Sequence, residues 1–169
     1  MPSSNPDHQE TTLVINREFS VPKQQVFDAL SHPEALSIWW GPVGYTMTIT
    51  IFEFKPGGLC LFKMENEESS MWARFIYGEI KQPDLVEFTL SFSDEKGELK
   101  EAPFFENWPL KIHNSIRLIE TNGVTRLTLH CQPDDASQLE LDSFKENKSS
   151  FLQGLTAALN KLSQHLATN

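Results

Sequence analysis

The hydrophobic period of this chain changes near its C-terminus, and that change limits the fold more than any single motif. Two-residue alternation runs from Tyr45 to Cys131 and then gives way to a helical repeat. Phe151, Leu155, Ala158, Leu159, Leu162 and Leu166 recur at helical spacing behind Leu139, Leu141 and Phe144, with Gln153, Asn160, Lys161 and Gln164 mainly on the opposite side. One long amphipathic helix is predicted to close the chain. An antiparallel sheet with one apolar face must bury that face, and this helix is the predicted element long enough to cover it. The sheet is therefore expected to curl around the helix.

Upstream, residues 13–20 alternate, with Leu13, Ile15, Arg17 and Phe19 on one side, and read as a strand. Pro22 opens a short helix through Val26 and Phe27 to Leu30, and Pro33 opens a second one to Trp39-Trp40, where Gly41-Pro42 forces a turn. The alternating region divides into strands at Thr46 to Phe54, Leu59 to Met64, Met71 to Ile80, Leu85 to Phe92, Ile112 to Glu120 and Val124 to Cys131. Thr46, Thr48, Thr50, Phe52 and Phe54 fall on one face of the first of these strands, and Met47, Ile49, Ile51 and Glu53 on the other. Pro56-Gly57-Gly58 reads as a hairpin turn and Asp94 to Asn107 as a long loop leading to Trp108. Residues 1–12 read as a flexible terminus and residues 13–167 as a single domain, the size expected for a chain of 169 residues.

Charge and motif chemistry narrow the function. The net charge is −9, so the average field repels phosphate backbones and anionic membrane surfaces, and no nucleic-acid partner is expected. Cys60 and Cys131 lie in apolar runs and read as reduced, buried thiols of a cytoplasmic protein. No stretch has the length of a membrane span, and the opening residues lack the pattern of a secretion signal. The histidines His8, His32, His113, His130 and His165 have no metal-ligand spacing, so neither metal nor cofactor is expected. Ser69-Ser70 and Ser149-Ser150 lie outside any nucleophile-elbow context, and Pro56-Gly57-Gly58 lacks the lysine of a phosphate loop.

Several short motifs, in order, resemble one family. They are Arg17-Glu18-Phe19, Val21-Pro22, Val26-Phe27, Pro33-Glu34, Trp39-Trp40-Gly41-Pro42, Pro56-Gly57-Gly58, Gly78-Glu79-Ile80 and Pro83-Asp84-Leu85-Val86. Together they are similar to the activator of heat-shock-protein-90 ATPase homologue-like branch of the SRPBCC superfamily, which also holds START lipid-transfer domains and the birch pollen allergens. The resemblance spans Leu13 to Leu166. It implies an α+β helix-grip fold: a curved seven-stranded antiparallel sheet around a long C-terminal helix, two short helices after the first strand, and a cavity between sheet and helix. Two departures are visible, Phe151 where the last helix usually carries Trp and an extended acidic stretch from Asp134 to Asp142.

The chain carries 12 Phe, 4 Trp and 2 Tyr, more ring surface than a small core needs. The residues expected to line a cavity are Trp39, Trp40, Phe54, Phe62, Met64, Trp72, Phe75, Tyr77, Phe88, Phe104, Phe105, Trp108, His113, Phe151 and Leu155. Of the two adjacent tryptophans, one is expected in the core and the other at a rim or on the surface. Charged candidates on strands are Arg17, Glu18, Glu53, Arg74, Glu79, Glu87, Arg117 and Arg126; strict alternation puts Tyr77 and Glu79 on one side of their strand, either as a polar pair facing a cavity or as part of a charge ladder on the solvated sheet face. His113 and His130 fall on neighbouring strands, where they either meet Cys131 or Glu120 or stand as satisfied or solvent-facing histidines. Three readings follow: a non-enzymatic binder of a small hydrophobic or aromatic molecule, a co-chaperone-like module acting on a chaperone or other protein, and a cyclase- or hydrolase-like enzyme using Tyr77, Glu79 or His113. The free edges of the sheet leave room for a homodimer.

Overall fold

The computed structural model describes residues 10–168. The element order is β1 (Leu13–Phe19), α1 (Lys23–Ser31), α2 (Pro33–Trp39), β2 (Thr46–Phe52), β3 (Leu59–Glu65), β4 (Ser70–Lys81), β5 (Leu85–Ser93), β6 (Ile112–Thr121), β7 (Val124–Pro133) and α3 (Gln138–Ala167). The strands form one seven-stranded sheet ordered β1-β7-β6-β5-β4-β3-β2, and every neighbouring pair is antiparallel. This is the helix-grip α+β architecture. Because β1 and β2 occupy opposite edges, the chain must cross the whole sheet between them, and α1 and α2 make that crossing.

Both short helices follow from local chemistry. Pro22 is extended and stands just outside α1, which buries Val26, Phe27, Ala29 and Leu30. Pro33 starts α2 with its fixed φ. The Trp39 indole N–H donates to the Ala29 carbonyl at 2.9 Å and ties the two helices together. Both tryptophans are buried, Trp39 at 1% exposure and Trp40 at 7%, so neither lies on the surface. Helix α2 ends between them, and Trp40 is extended at φ −75°, ψ 145°, so the two side chains leave the backbone in different directions and both reach the interior.

Two bulges break the expected alternation. In β2 the register shifts between Ile49 and Ile51. Met47 is buried and Ile49, Phe52 and Phe54 pack against the core, while Thr46, Thr48, Thr50 and Ile51 face solvent. The extra residue lets a strand that mixes Thr and Phe on one formal face bury only its apolar members. In β4 the shift lies between Tyr77 and Ile80, and it overturns the pairing of Tyr77 with Glu79. Tyr77 is buried, whereas Gly78 and Glu79 are exposed and the Glu79 carboxylate sits 3.3 Å from the Lys81 ammonium.

The turn at Pro56-Gly57-Gly58 requires glycine. A Cβ at Gly58 would meet the Glu53 carbonyl oxygen at 2.0 Å. At the start of α3, Ser137 and Glu140 form a reciprocal capping box, and the second Glu140 oxygen accepts the Leu110 N–H at 3.0 Å. Helix α3 contacts β1, β7, α1 and α2, and its Leu159, Leu162 and Leu166 are buried. Each such leucine contributes about 1.5–3 kcal/mol relative to exposure.

Residues 1–9 of the expected flexible terminus lie outside the described residues. Thr11 is buried, and the Glu10 carboxylate is 3.5 Å from the Lys145 ammonium on α3. Cys60 and Cys131 are free thiols, both buried. Among the described residues no helix is long and apolar enough to cross a membrane.

Candidate functional site

Helix α3 does not rest on the sheet along its whole length. Around residues 150–158 a cavity of about 330 Å³ opens between it and strands β3 to β5. The sheet contributes Phe62 and Met64 from β3, Met71 and Ala73 from β4, and Leu90 and Phe92 from β5. The helix contributes Ser150, Phe151, Gly154, Leu155 and Ala158, and the turn after α2 contributes Trp40, Pro42 and Tyr45. Phe104, Phe105 and Trp108 come from the long loop between β5 and β6. Ala73 on the sheet wall and Gly154 and Ala158 on the helix wall are the small residues among those that line the space, beside Gly41 and the serines. Phe104, at 56% exposure, and the exposed Ser150 and Gly154 form the mouth.

The loop wall is held from both sides. Its rings make a continuous chain: Phe92 to Phe104 at 5.5 Å, Phe104 to Phe105 at 4.9 Å, Phe105 to Trp108 at 4.8 Å, and Trp108 to Phe151 at 5.2 Å. The Ser143 hydroxyl donates to the Glu106 carbonyl at 2.7 Å and, with the Glu140 bond to Leu110, anchors the loop to α3. Behind the Gly41 wall, outside the cavity lining, the Lys161 ammonium donates to the Gly41 carbonyl at 2.8 Å, and burial lowers its pKa.

Trp40 separates this cavity from a closed aromatic cluster. Its ring meets Trp39 at 5.6 Å, Phe75 at 5.1 Å and Phe88 at 5.8 Å, all edge to face. Trp39, Phe75, Tyr77 and Phe88 surround only about 10 Å³ of free space there. Phe54 packs beside them against Phe27 at 5.8 Å and Tyr77 at 5.0 Å. Burial pushes the Cys60 thiol up to about 12 and drives the neighbouring Tyr77 phenol far above its usual range, so both groups stay neutral.

Of the residues expected at a cavity, the structure brings Trp40, Phe62, Met64, Phe104, Phe105, Trp108, Phe151 and Leu155 to the one under α3. Trp39, Phe54, Phe75, Tyr77 and Phe88 belong to the closed cluster instead. Trp72 and His113 alternate with inward-facing neighbours, Ala73 on one side and Ile112 and Asn114 on the other, and lie on the outer sheet face. His113 there stands 4.0 Å from the Glu87 carboxylate. His113 is opposite Gln132 and His130 opposite Ser115, while Cys131 points inward to the Asn114 side-chain oxygen at 2.9 Å. Tyr77, Glu79 and His113 therefore do not converge. Among the described residues no group of histidine, cysteine and carboxylate side chains has the geometry to hold a metal.

Sequence reasoning missed Met71, Ala73, Leu90, Gly154 and Ala158 as cavity residues. Gly154 carried a readable signal: a glycine at helical spacing from Phe151 and Ala158, on the same face of a long helix.

A curved antiparallel sheet gripping a terminal helix defines the helix-grip class of fold. Residues 20–167 match the family model "Activator of Hsp90 ATPase homolog 1-like protein", and the chain belongs to that family. Solved structures repeat the fold. A protein of Arthrobacter aurescens is 23% identical with a TM-score of 0.80, over 98% of this chain and 91% of its own. One of Mycobacterium smegmatis is 19% identical with a TM-score of 0.77, over 95% and 94%. An AHSA1 protein of Silicibacter pomeroyi is 24% identical with a TM-score of 0.68, over 93% and 98%. No curated protein matches the chain in sequence.

Proposed function

We propose that this protein binds a small hydrophobic or aromatic molecule between its sheet and its C-terminal helix, without chemical conversion. The observation that supports the reading is the cavity of about 330 Å³ with its apolar, aromatic-rich walls. Its mouth opens to solvent, so the space holds water unless a guest displaces it. Water finds few hydrogen-bond partners against such walls, whereas an apolar guest needs none. A guest burying about 250 Å² of apolar surface gains about 6 kcal/mol before the costs of association, which sets its affinity at micromolar or weaker.

Thermal-shift and tryptophan-fluorescence titrations against small aromatic and aliphatic compounds test this. A ligand at about 100 times its dissociation constant adds roughly 2.7 kcal/mol. At roughly 2–4 °C per kcal/mol, that raises the melting temperature by about 5–10 °C. No shift with any compound overturns the reading.

A co-chaperone-like role is the second reading, favoured by the family's description and by Ile38 and Val43, which are 55% and 68% exposed beside the tryptophan pair. Under that reading, purified Hsp90-type ATPase binds the protein and Ile38→Asp/Val43→Asp abolishes the binding. Absence of binding to the wild-type protein removes it.

A further inference from the structure

We propose that the cavity selects uncharged, flat molecules of about two or three fused rings and rejects their carboxylates, a refinement that rests on the ligand-binding reading above. Size comes first. An apolar cavity of about 150 Å³ accommodates benzene. In proportion, about 330 Å³ takes a guest of about 13 non-hydrogen atoms. The walls favour rings, because Phe105, Trp108 and Phe151 are among the residues that line them and aromatic pairs gain beyond simple burial.

Charge decides the rest. No Asp, Glu, His, Lys or Arg lines the cavity among the described residues, and its hydroxyl-bearing side chains are those of Tyr45, Ser91 and Ser150. The Tyr45 hydroxyl is engaged by Ser69 at 3.0 Å. Two lysines of α3 also have partners: Lys161 donates to the Gly41 carbonyl at 2.8 Å, and Lys145 pairs with Glu10 at 3.5 Å. A carboxylate drawn inside would lose its hydration without a counter-charge. Held back in the mouth, it meets the average field of a chain with net charge −9 and leaves the interior unfilled.

The test compares 9-fluorenemethanol with fluorene-9-carboxylate, and dodecanol with laurate, on the full-length protein at pH 7.5 by fluorescence titration and thermal shift. The expected result is binding of 9-fluorenemethanol at about tens of micromolar or weaker and at least 100-fold weaker binding of its carboxylate, about 2.8 kcal/mol at roughly 1.4 kcal/mol per tenfold. Met71→Lys places an ammonium on the half-buried cavity wall and should narrow that gap to tenfold or less. Equal affinities for alcohol and carboxylate overturn the selectivity and leave the ligand-binding reading standing. Binding of none of the four overturns both. A Met71→Lys protein that is folded by circular dichroism and binds the alcohol with the gap unchanged also counts against charge as the discriminator. If that variant does not fold, the wild-type comparison decides alone.

Discussion

Gly154 offers the sharpest perturbation of the site because stability and binding should respond in opposite directions. It lies within the 30-residue helix α3, lines the cavity, and a Cβ built there has no atom within 4 Å. Glycine in a helix interior costs about 1 kcal/mol relative to alanine, and here no clash offsets the gain from replacing it. Gly154→Ala should therefore stabilise the unliganded protein by about 1 kcal/mol, raising its melting temperature by about 2–4 °C. Gly154→Leu keeps most of that gain but sets a branched side chain in the mouth. If it displaces about 60 Å² of contact with a guest, binding weakens by about 1.5 kcal/mol, or about tenfold. Thermal unfolding without ligand and a fluorescence titration with 9-fluorenemethanol read the two effects. Destabilisation by alanine would refute the open helical position, and undiminished binding by the leucine variant would refute the location of the mouth.

Other substitutions probe the parts that hold the cavity open. Burial tends to raise the Glu140 pKa, but the N–H groups of Ser137 and Leu110 outweigh it and hold the carboxyl below its usual range. Its stabilising effect is accordingly complete above the unfolded-state value of about 4.5 and lost as pH falls through the lower folded value. Glu140→Gln should cost about 1 kcal/mol at pH 7, with the difference from wild type shrinking below pH 4; urea unfolding across pH measures it, and a pH-independent difference argues against the cap. Trp39→Phe removes the donor to the Ala29 carbonyl in a buried setting and should cost about 1–3 kcal/mol by the same method, while a neutral result would mean the bond contributes nothing to joining the two short helices. Burial pushes both Cys60 and Cys131 up to about 12, so neither thiol should react with a disulfide reagent at pH 8 until denaturant is added; prompt reaction of one equivalent in the native protein contradicts that burial.

The residues differ in how much they reveal before folding. The leucine repeat of α3 and the alternation of β6 and β7 announce themselves, because burial on one face imposes a fixed period. The bulges do not. Gly78 is a local hint of a bulge, but that Glu79 turns outward is defined only by the register of β4 against β5. Trp108 and Phe151 could be placed near a cavity from the sequence, whereas Trp72 looked equivalent and faces the other way.

By itself, the order of hydrophobic periods determined the elements, their sequence and the need for a helix to cover a sheet, because each period reports which side of an element must leave water. Only the tertiary structure decided where that helix touches the sheet and where it stands clear. That choice depends on the summed sizes of side chains from distant segments, Ala73 of β4 and Gly154 and Ala158 of α3 among them, and on the loop that Glu140 and Ser143 fasten to α3.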